Sequence, residues 1–444
     1  MDRFPDRPSR KGMAVTTMNG ASARFRAGRL PTIVALATLA AAACTPSQSA
    51  QDSSDADAIP AKIVIGATLP LTGTESKTGG RFKQGYELAI EAENADGGLD
   101  IGGKKVPVEL KLLDDTTDQA KAVNLAQRLI TQDKVNFLLG TYSTTLVEAQ
   151  STVAEQNQIP YVNGGGAATS IYAKGFKWIF GTLAPVENLA TTEMEWISEQ
   201  QAAGKLPKPA KVALIWENTS HGKDFRKGVK DFATAHGTDF QIATDESFAL
   251  DGKDFSAILS TVRTAKADLL MVDAHLPDFI TMQRQYLSST MCNKLITYGA
   301  RGAESDARAA LGQQGVNYIL SAVWWNAQLG DKGLNKDFID KFTAKYGAAP
   351  EWYQAEGYEA ARALMTAIAS AGSVNKQKVR DTLSTMNIDS ILPGGKLSFP
   401  AAKGGQADYP FVVQQNLPDG TSPIIYPADV ATGQGVAPNP TCKG

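Results

Sequence analysis

Residues 135–168, VNFLLGTYSTTLVEAQSTVAEQNQIPYVNGGGAA, decide how the chain is read. The run 135–140 is short, apolar and closed by glycine, as in a strand buried within a parallel sheet. Thr141, Tyr142, Ser143 and Thr144 follow, and a helical pattern then covers 145–156. Thr145-Leu-Val-Glu148 fits a capping box, in which hydroxyl and carboxylate satisfy the free amides of a first helical turn. The positive end of that helix sits beside the Ser143 and Thr144 hydroxyls, a seat for a small anion such as a carboxylate. A second short strand, 159–162, runs into Gly164-Gly165-Gly166-Ala167-Ala168, where backbone can approach a ligand closely. Open α/β sheets bind ligands at such loops, at the carboxyl ends of their strands. Two ordinary βα turns with solvated hydroxyls would give the same pattern, so the rest of the chain must arbitrate.

Outward from this stretch, strands at 62–67, 106–113, 135–140 and 159–162 alternate with helices at 80–94, 118–132 and 145–156. That alternation predicts a parallel sheet with helices on both faces. Gly97-Gly98 and Gly102-Gly103 bracket a turn before the second strand. After 177–182 and a helix over 186–203, a second series begins past the proline-containing 204–209. Its strands are 211–217, 241–248, 267–273 and 294–298, with helices 222–235, 254–265 and 277–287 between them. Helices 335–346, 352–371 and 374–386 and strands 396–399 and 410–415 close the chain. The expected fold class is α/β, with two doubly wound parallel-sheet lobes. The first lobe takes 61–183 and 323–395; the second takes 184–322 and 396–444 with the tail.

Hydrophobic residues make up 43% of the 444 and charged ones 20%, an ordinary globular balance. Arg3, Arg7, Arg10, Lys11, Arg24, Arg26 and Arg29 face only Asp2 and Asp6 in 1–43, so the formal charge of −2 hides a mildly acidic body. No basic stripe argues for nucleic acid. The basic start and the apolar run 31–43 form a signal peptide, too short to span a bilayer. Small residues abut Cys44, which resembles a bacterial lipoprotein signal with Cys44 lipidated. Ala41 stands where that pattern prefers leucine, and simple cleavage after Ala43 is the alternative. Residues 44–60 read as a flexible tether. Cys292 and Cys442 remain as a candidate disulfide, which suits an exported protein, or as two free thiols.

The sequence contains no H-E-x-x-H, G-x-S-x-G or P-loop pattern, and only three histidines. His236 sits at a helix end. His221 and His275 both fall just after strand ends of the second series and could face a cleft. The reading is no enzyme, no cofactor and no metal site.

The order Ile63-Val-Ile-Gly-Ala67, Thr72-Gly73, Asp114-Asp115, Asp118, Gly140-Thr-Tyr-Ser-Thr-Thr145, Ile159-Pro160, Lys174-Gly175-Phe176 and Glu217…His221-Gly222 resembles the branched-chain amino acid (leucine/isoleucine/valine) binding proteins of ABC transporters. These are type I periplasmic binding proteins, and the resemblance covers about 62–399. It implies a Venus-flytrap fold with three hinge crossings, near 182–184, 322–325 and 393–397. It also implies a small ligand delivered to a membrane permease from the periplasm; with the Cys44 signal, the expectation is a lipid-anchored monomer. In that family the loop matching Tyr142, Ser143 and Thr144 takes the ligand carboxylate, and the loop matching Gly165, Gly166 and Ala167 completes the site. His221, His275, Arg301 and Tyr353 fall where the second lobe and rim contribute.

The chain also departs from the family pattern. In the amino-acid-binding members an acidic side chain near the position of Arg301 receives the ligand's ammonium group; here the stretch is Tyr298-Gly-Ala-Arg301-Gly-Ala-Glu304, and a guanidinium there suits an acid instead. Trp216 and Trp324 could supply an aromatic wall or simply pack in the core, and Arg301 could instead pair with Glu304 or Asp306. The expected ligand is a small carboxylate, amino acid-like or an aromatic or aliphatic acid. A ligand-sensing receptor of the same fold and an exported enzyme are the other classes.

Overall fold

The computed structural model describes residues 59–330 and 333–442. The expected signal segment, Cys44 and all of the tether before Ile59 lie outside the described residues. Among those described, no helix is long and apolar enough to cross a membrane.

The first lobe opens with β1 (Ile63–Leu69), buried at nearly every position because it is central in a sheet covered on both faces. Next come α1 (Ser76–Ala95) and a hairpin of β2 (Leu99–Ile101) and β3 (Lys104–Val106). The turn residues Gly102 and Gly103 have φ of +60° and +87°, the pair of positive values that a tight hairpin turn demands and glycine takes most readily. β4 (Val108–Asp114), α2 (Gln119–Thr131), β5 (Phe137–Leu139), α3 (Thr144–Gln156), β6 (Tyr161–Asn163), the single-turn α4 (Thr169–Tyr172) and β7 (Ile179–Gly181) follow. The sheet order is β4-β1-β5-β6-β7, parallel throughout. Chain direction across the sheet reverses between β1 and β5, so their carboxyl ends open a crevice.

The second lobe repeats the scheme. It contains α5 (Val186–Ala202), β8 (Ala210–Glu217), α6 (Ser220–Ala235), β9 (Phe240–Phe248), α7 (Ser256–Ala265), β10 (Leu269–Asp273), α8 (Leu276–Ser288), β11 (Leu295–Tyr298), α9 (Ser305–Val316) and β12 (Ile319–Val323). The parallel part runs β9-β8-β10-β11-β12, so its switch point lies between β8 and β10, beyond Glu217 and Asp273. The sequence reading leaves the α9 segment without an element.

The chain then returns to the first lobe as α10 (Gly333–Tyr346), α11 (Trp352–Ala371) and α12 (Lys376–Thr385). Helices α1 and α11 touch backbone to backbone. A side chain at Gly85 would lie 2.3 Å from the Gln354 carbonyl oxygen, and one at Gly357 2.8 Å from that of Phe82. A hairpin of β13 (Asn387–Asp389) and β14 (Lys396–Ser398) follows; β15 (Val412–Gln415) and β16 (Ile424–Tyr426) then add to β12 as an antiparallel edge.

The third crossing differs from the expectation of 393–397, and with it the expected return to the second lobe at 396. Lys396–Ser398 pairs with β13, and residues 405–407 run beside Gly181, whose N–H donates to Gly405 O at 3.0 Å. The buried Gln406 amide also donates to Ala167 O and Leu183 O, which keeps the chain with the first lobe to that point. Glu356 on α11 accepts from Thr182 Oγ1 at 2.7 Å and the Tyr409 hydroxyl at 2.8 Å, tying two crossings to one helix. Cys292 and Cys442 form a disulfide with Cα atoms 5.3 Å apart, which fastens the tail to the second lobe.

Candidate functional site

The first-lobe wall is built at the carboxyl ends of β1 and β5. Asp115 accepts from Thr68 Oγ1 at 2.9 Å and Thr141 Oγ1 at 2.5 Å, which fixes the loop after β5. A side chain at Gly165 would meet the Thr141 carbonyl oxygen at 2.1 Å, so glycine there lets the two loops close on each other. Ala167 N–H reaches Thr144 Oγ1 at 3.3 Å.

Helix α3 begins at Thr144 with Ser143 as its cap residue, one position earlier than the sequence pattern suggests. The capping box does not form. Glu148 instead meets Lys174 Nζ at 3.1 Å and accepts from Ser220 Oγ of the second lobe at 3.0 Å. Ser143 makes no capping bond, so its hydroxyl and the Thr144 and Thr145 amides, which lack acceptors within the helix, stay available to an anion.

The second-lobe wall grows from the ends of β8 and β10. Glu217 and Asp273 end those strands; His221 follows in the first turn of α6, and His275 is the cap residue of α8. His221 Nδ1 lies 2.8 Å from Asp273 Oδ2. His275 Nδ1 lies 2.8 Å from Glu75 Oε1 of the first lobe, and its Nε2 is 3.4 Å from Glu217 Oε2. Burial alone would lower the His275 pKa; Glu217 and then Glu75 overcome it and push it up to about 9. Glu75 and Asp273 are also desolvated, which raises them, yet His275 and His221 respectively hold them below the usual carboxylate range. Ligand atoms of Glu217, His221 and Asp273 fall within 4.8 Å of one another, close enough for a metal ion. Imidazole–carboxylate pairing and the Thr219–Glu217 hydrogen bond already occupy the facing atoms.

Arg301 is 3% exposed, so it is no surface partner of Glu304 or Asp306. Its Nη2 donates to the Tyr142 hydroxyl at 2.8 Å, and its Cζ lies 5.0 Å from the Trp352 ring centre and 5.4 Å from that of Tyr353. Glu304 Oε1 is 3.8 Å from Nε, too long for a hydrogen bond, and accepts instead from the Tyr353 hydroxyl at 2.6 Å. The Nε and Nη1 atoms of Arg301 are buried with no hydrogen-bond partner among the described residues. Burial pushes the Glu304 carboxyl up to about 7, against the pull of Arg301 and Arg81.

These groups enclose a space of about 10 Å³. Of the expected site residues, Tyr142, Ser143, Thr144, Gly165, Ala167, His221, His275, Arg301 and Trp324 line it. Tyr353 stands just behind Arg301. Gly166 does not line it: a side chain there would point into Val147, inside the first lobe. Trp216 lies elsewhere, its indole bonded to Asp245 at 2.9 Å and covered by Arg226, because the alternation along β8 turns it from the cleft. Trp324 both packs and lines, with Nε1 on the Ala184 carbonyl at the first crossing.

Trp352, Leu183, Glu75 and Asp273 are not among the expected site residues, and Glu217 enters the sequence analysis only as part of the Glu217…His221-Gly222 motif. The carboxylates Glu217 and Asp273 were signalled by the same strand-end positions that single out His221 and His275. Carboxylates therefore stand behind the histidines of the site, as well as Arg301 in its wall.

A family model described as periplasmic binding protein matches residues 62–421. A Leu/Ile/Val-binding protein homolog of Brucella abortus is 25% identical over 378 residues, covering 84% of this chain and 92% of that one. A branched-chain amino acid transporter substrate binding protein of Streptococcus pneumoniae, solved with isoleucine, superposes with a TM-score of 0.70 at 20% identity, covering 81% of this chain and 97% of the other. An ABC transporter solute binding protein of R. palustris, solved with benzoate, gives 0.70 at 19% identity, covering 86% and 99%.

Proposed function

The chain belongs to the periplasmic binding protein family, and from that premise we propose that it binds a small organic acid between its lobes and delivers it to the permease of an ABC importer. The observation that carries the ligand class is Arg301, a buried guanidinium with two donors unpartnered. A buried donor without an acceptor is costly, and a carboxylate offers a bidentate match. Through Tyr142 the guanidinium stands next to Ser143 and the first turn of α3, so one carboxylate could take donors from both lobes. A ligand that binds both lobes stabilises the state in which they meet. The relative solved with benzoate supports this ligand class.

A second reading rests on Glu217, whose buried Oε2 makes no hydrogen bond among the described residues and has His275 Nε2 at 3.4 Å as an ion-pair neighbour. An ammonium placed there, with the carboxylate at Ser143, would make the ligand an amino acid, as in the relative solved with isoleucine. Thermal-shift measurements against matched panels separate the two, since binding raises the melting temperature by mass action. Shifts with acids that lack an amine support the leading reading; shifts confined to amino acids overturn it.

Export and anchoring belong to the same proposal. Cys44 carries the lipid, and a Cys44→Ser chain made in a bacterial host would leave the membrane fraction. Retention of that variant in the membrane would reject the anchor.

A further inference from the structure

The space enclosed by Ser143, Arg301 and His275 is about 10 Å³, room for roughly one water. No acid with a hydrocarbon body fits it. On the far side of Trp352 lies a compartment of about 510 Å³, between α9, the second crossing and the start of α11. That is the size of a small-molecule site, and Trp352 is the residue that lines both spaces. The indole is held by ring and cation–π contacts, 3.7 Å from the Tyr353 centroid, 4.8 Å from that of Trp324 and 5.0 Å from Arg301 Cζ; its Nε1 is buried with no hydrogen-bond partner among the described residues. Its backbone is fixed by the capping box between Glu351 and Gln354 that starts α11. Side chain and backbone are thus separately anchored, so a rotamer change would leave the helix in place. Glu304 lines the same compartment, and its Oε2, 3.9 Å from Arg81 Nη1, is buried without a hydrogen-bond partner among the described residues.

We propose that Trp352 is a partition across the cleft, and that the compartment behind it is a subsite for the distal, hydroxyl-bearing end of an elongated ligand. A ligand that displaces the indole gains the space its body needs. A terminal hydroxyl can then donate to Glu304 and accept from the indole N–H, satisfying two orphaned atoms at once. The subsite extends the headgroup seat described above and rests on that reading for the carboxylate end only.

The test uses ligands with matched tails and different heads on the mature protein: propanoate, phenylpropanoate and para-hydroxyphenylpropanoate beside alanine, phenylalanine and tyrosine. The head that binds reports on the proposed function; the tail dependence within that series reports on the subsite. Titration calorimetry of the wild type should give increasing affinity along the tail series. Trp352→Phe should keep the phenyl ligand's affinity and weaken the hydroxylated one about fivefold, the loss of one hydrogen bond. Glu304→Gln should also narrow the preference for the hydroxylated tail, whereas Trp352→Ala should favour the phenyl over the short ligand. Melting temperatures of each variant identify any that fail to fold, and the Phe variant keeps the ring packing if the Ala variant fails. Tail preferences unchanged by Trp352→Phe and Glu304→Gln, or no binding by either series, would overturn the subsite.

Discussion

Arg301 of the second lobe donates to the Tyr142 hydroxyl of the first at 2.8 Å, while its Nε and Nη1 make no hydrogen bond among the described residues. A half-satisfied, buried guanidinium spanning the cleft links ligand binding to lobe contact. Arg301→Lys retains the charge but loses the fork, so acid affinity should fall between about tenfold and a hundredfold, the worth of one or two charge-assisted hydrogen bonds. Calorimetry reads this directly, and unchanged affinity would make Arg301 structural.

Ser143 separates binding from stability. Replacing a cap serine ordinarily costs about 1 kcal/mol, but Ser143 makes no capping bond. Ser143→Ala should therefore leave the denaturant midpoint nearly unchanged while weakening acid binding several-fold. A large loss of stability with intact binding would reverse the assignment.

Alkaline conditions should loosen the protein. His275 is pushed up to about 9 from an ordinary 6.5, so its contribution is complete below pH 6.5 and is lost as pH rises through 9. Glu356, desolvated at the crossings and only partly offset by Thr182 and Tyr409, is pushed up to about 8 from 4.5. A carboxyl raised in the folded state binds more protons there than when unfolded, so stability falls between pH 4.5 and 8. Glu356→Gln should flatten the decline over that window, and His275→Gln the decline between pH 6.5 and 9. Stability curves from urea unfolding across pH 5–10, roughly spanning both windows, provide the check. An unaltered slope in the Gln variants would locate the titration elsewhere.

The disulfide should matter for the tail and the second lobe. Cys292 and Cys442 are 150 residues apart, and Asn439 N–H donates to Lys294 O beside the bridge. Cys442→Ser should cost roughly 2–5 kcal/mol by freeing a long loop in the unfolded chain. Ligand affinity should persist, because the bridge lies away from the cleft residues. Loss of binding in a variant that remains folded would tie the tail to the site.

Much of the fold was legible in the sequence because its signal is local. Apolar runs alternating with helical periods predict two βα series, and the helix at 352–371 matches α11 to the residue. The strand-end positions of His221 and His275 likewise place both at a sheet's carboxyl edge. Where local signals compete, the sequence reading errs: Thr145 and Glu148 spell a capping box, but Glu148 is drawn to Lys174 and Ser220, and α3 starts a residue earlier. The pairing of 405–407 with Gly181 depends on a partner more than 200 residues away, so no window of sequence contains it.

The sequence by itself determined the alternation of strands and helices and the glycine loop, and it is the source of the proposed anion seat at Ser143 and Thr144. Each is read from residues that are neighbours in the chain. Tertiary structure alone decided that Arg301 is buried with donors to spare, that Glu75 and Glu217 share His275, and that Trp352 rather than Trp216 walls the cleft. These depend on how closely two lobes approach and which way a ring turns. Burial, not identity, sets the energy of a charge, and burial is a property of the assembled chain.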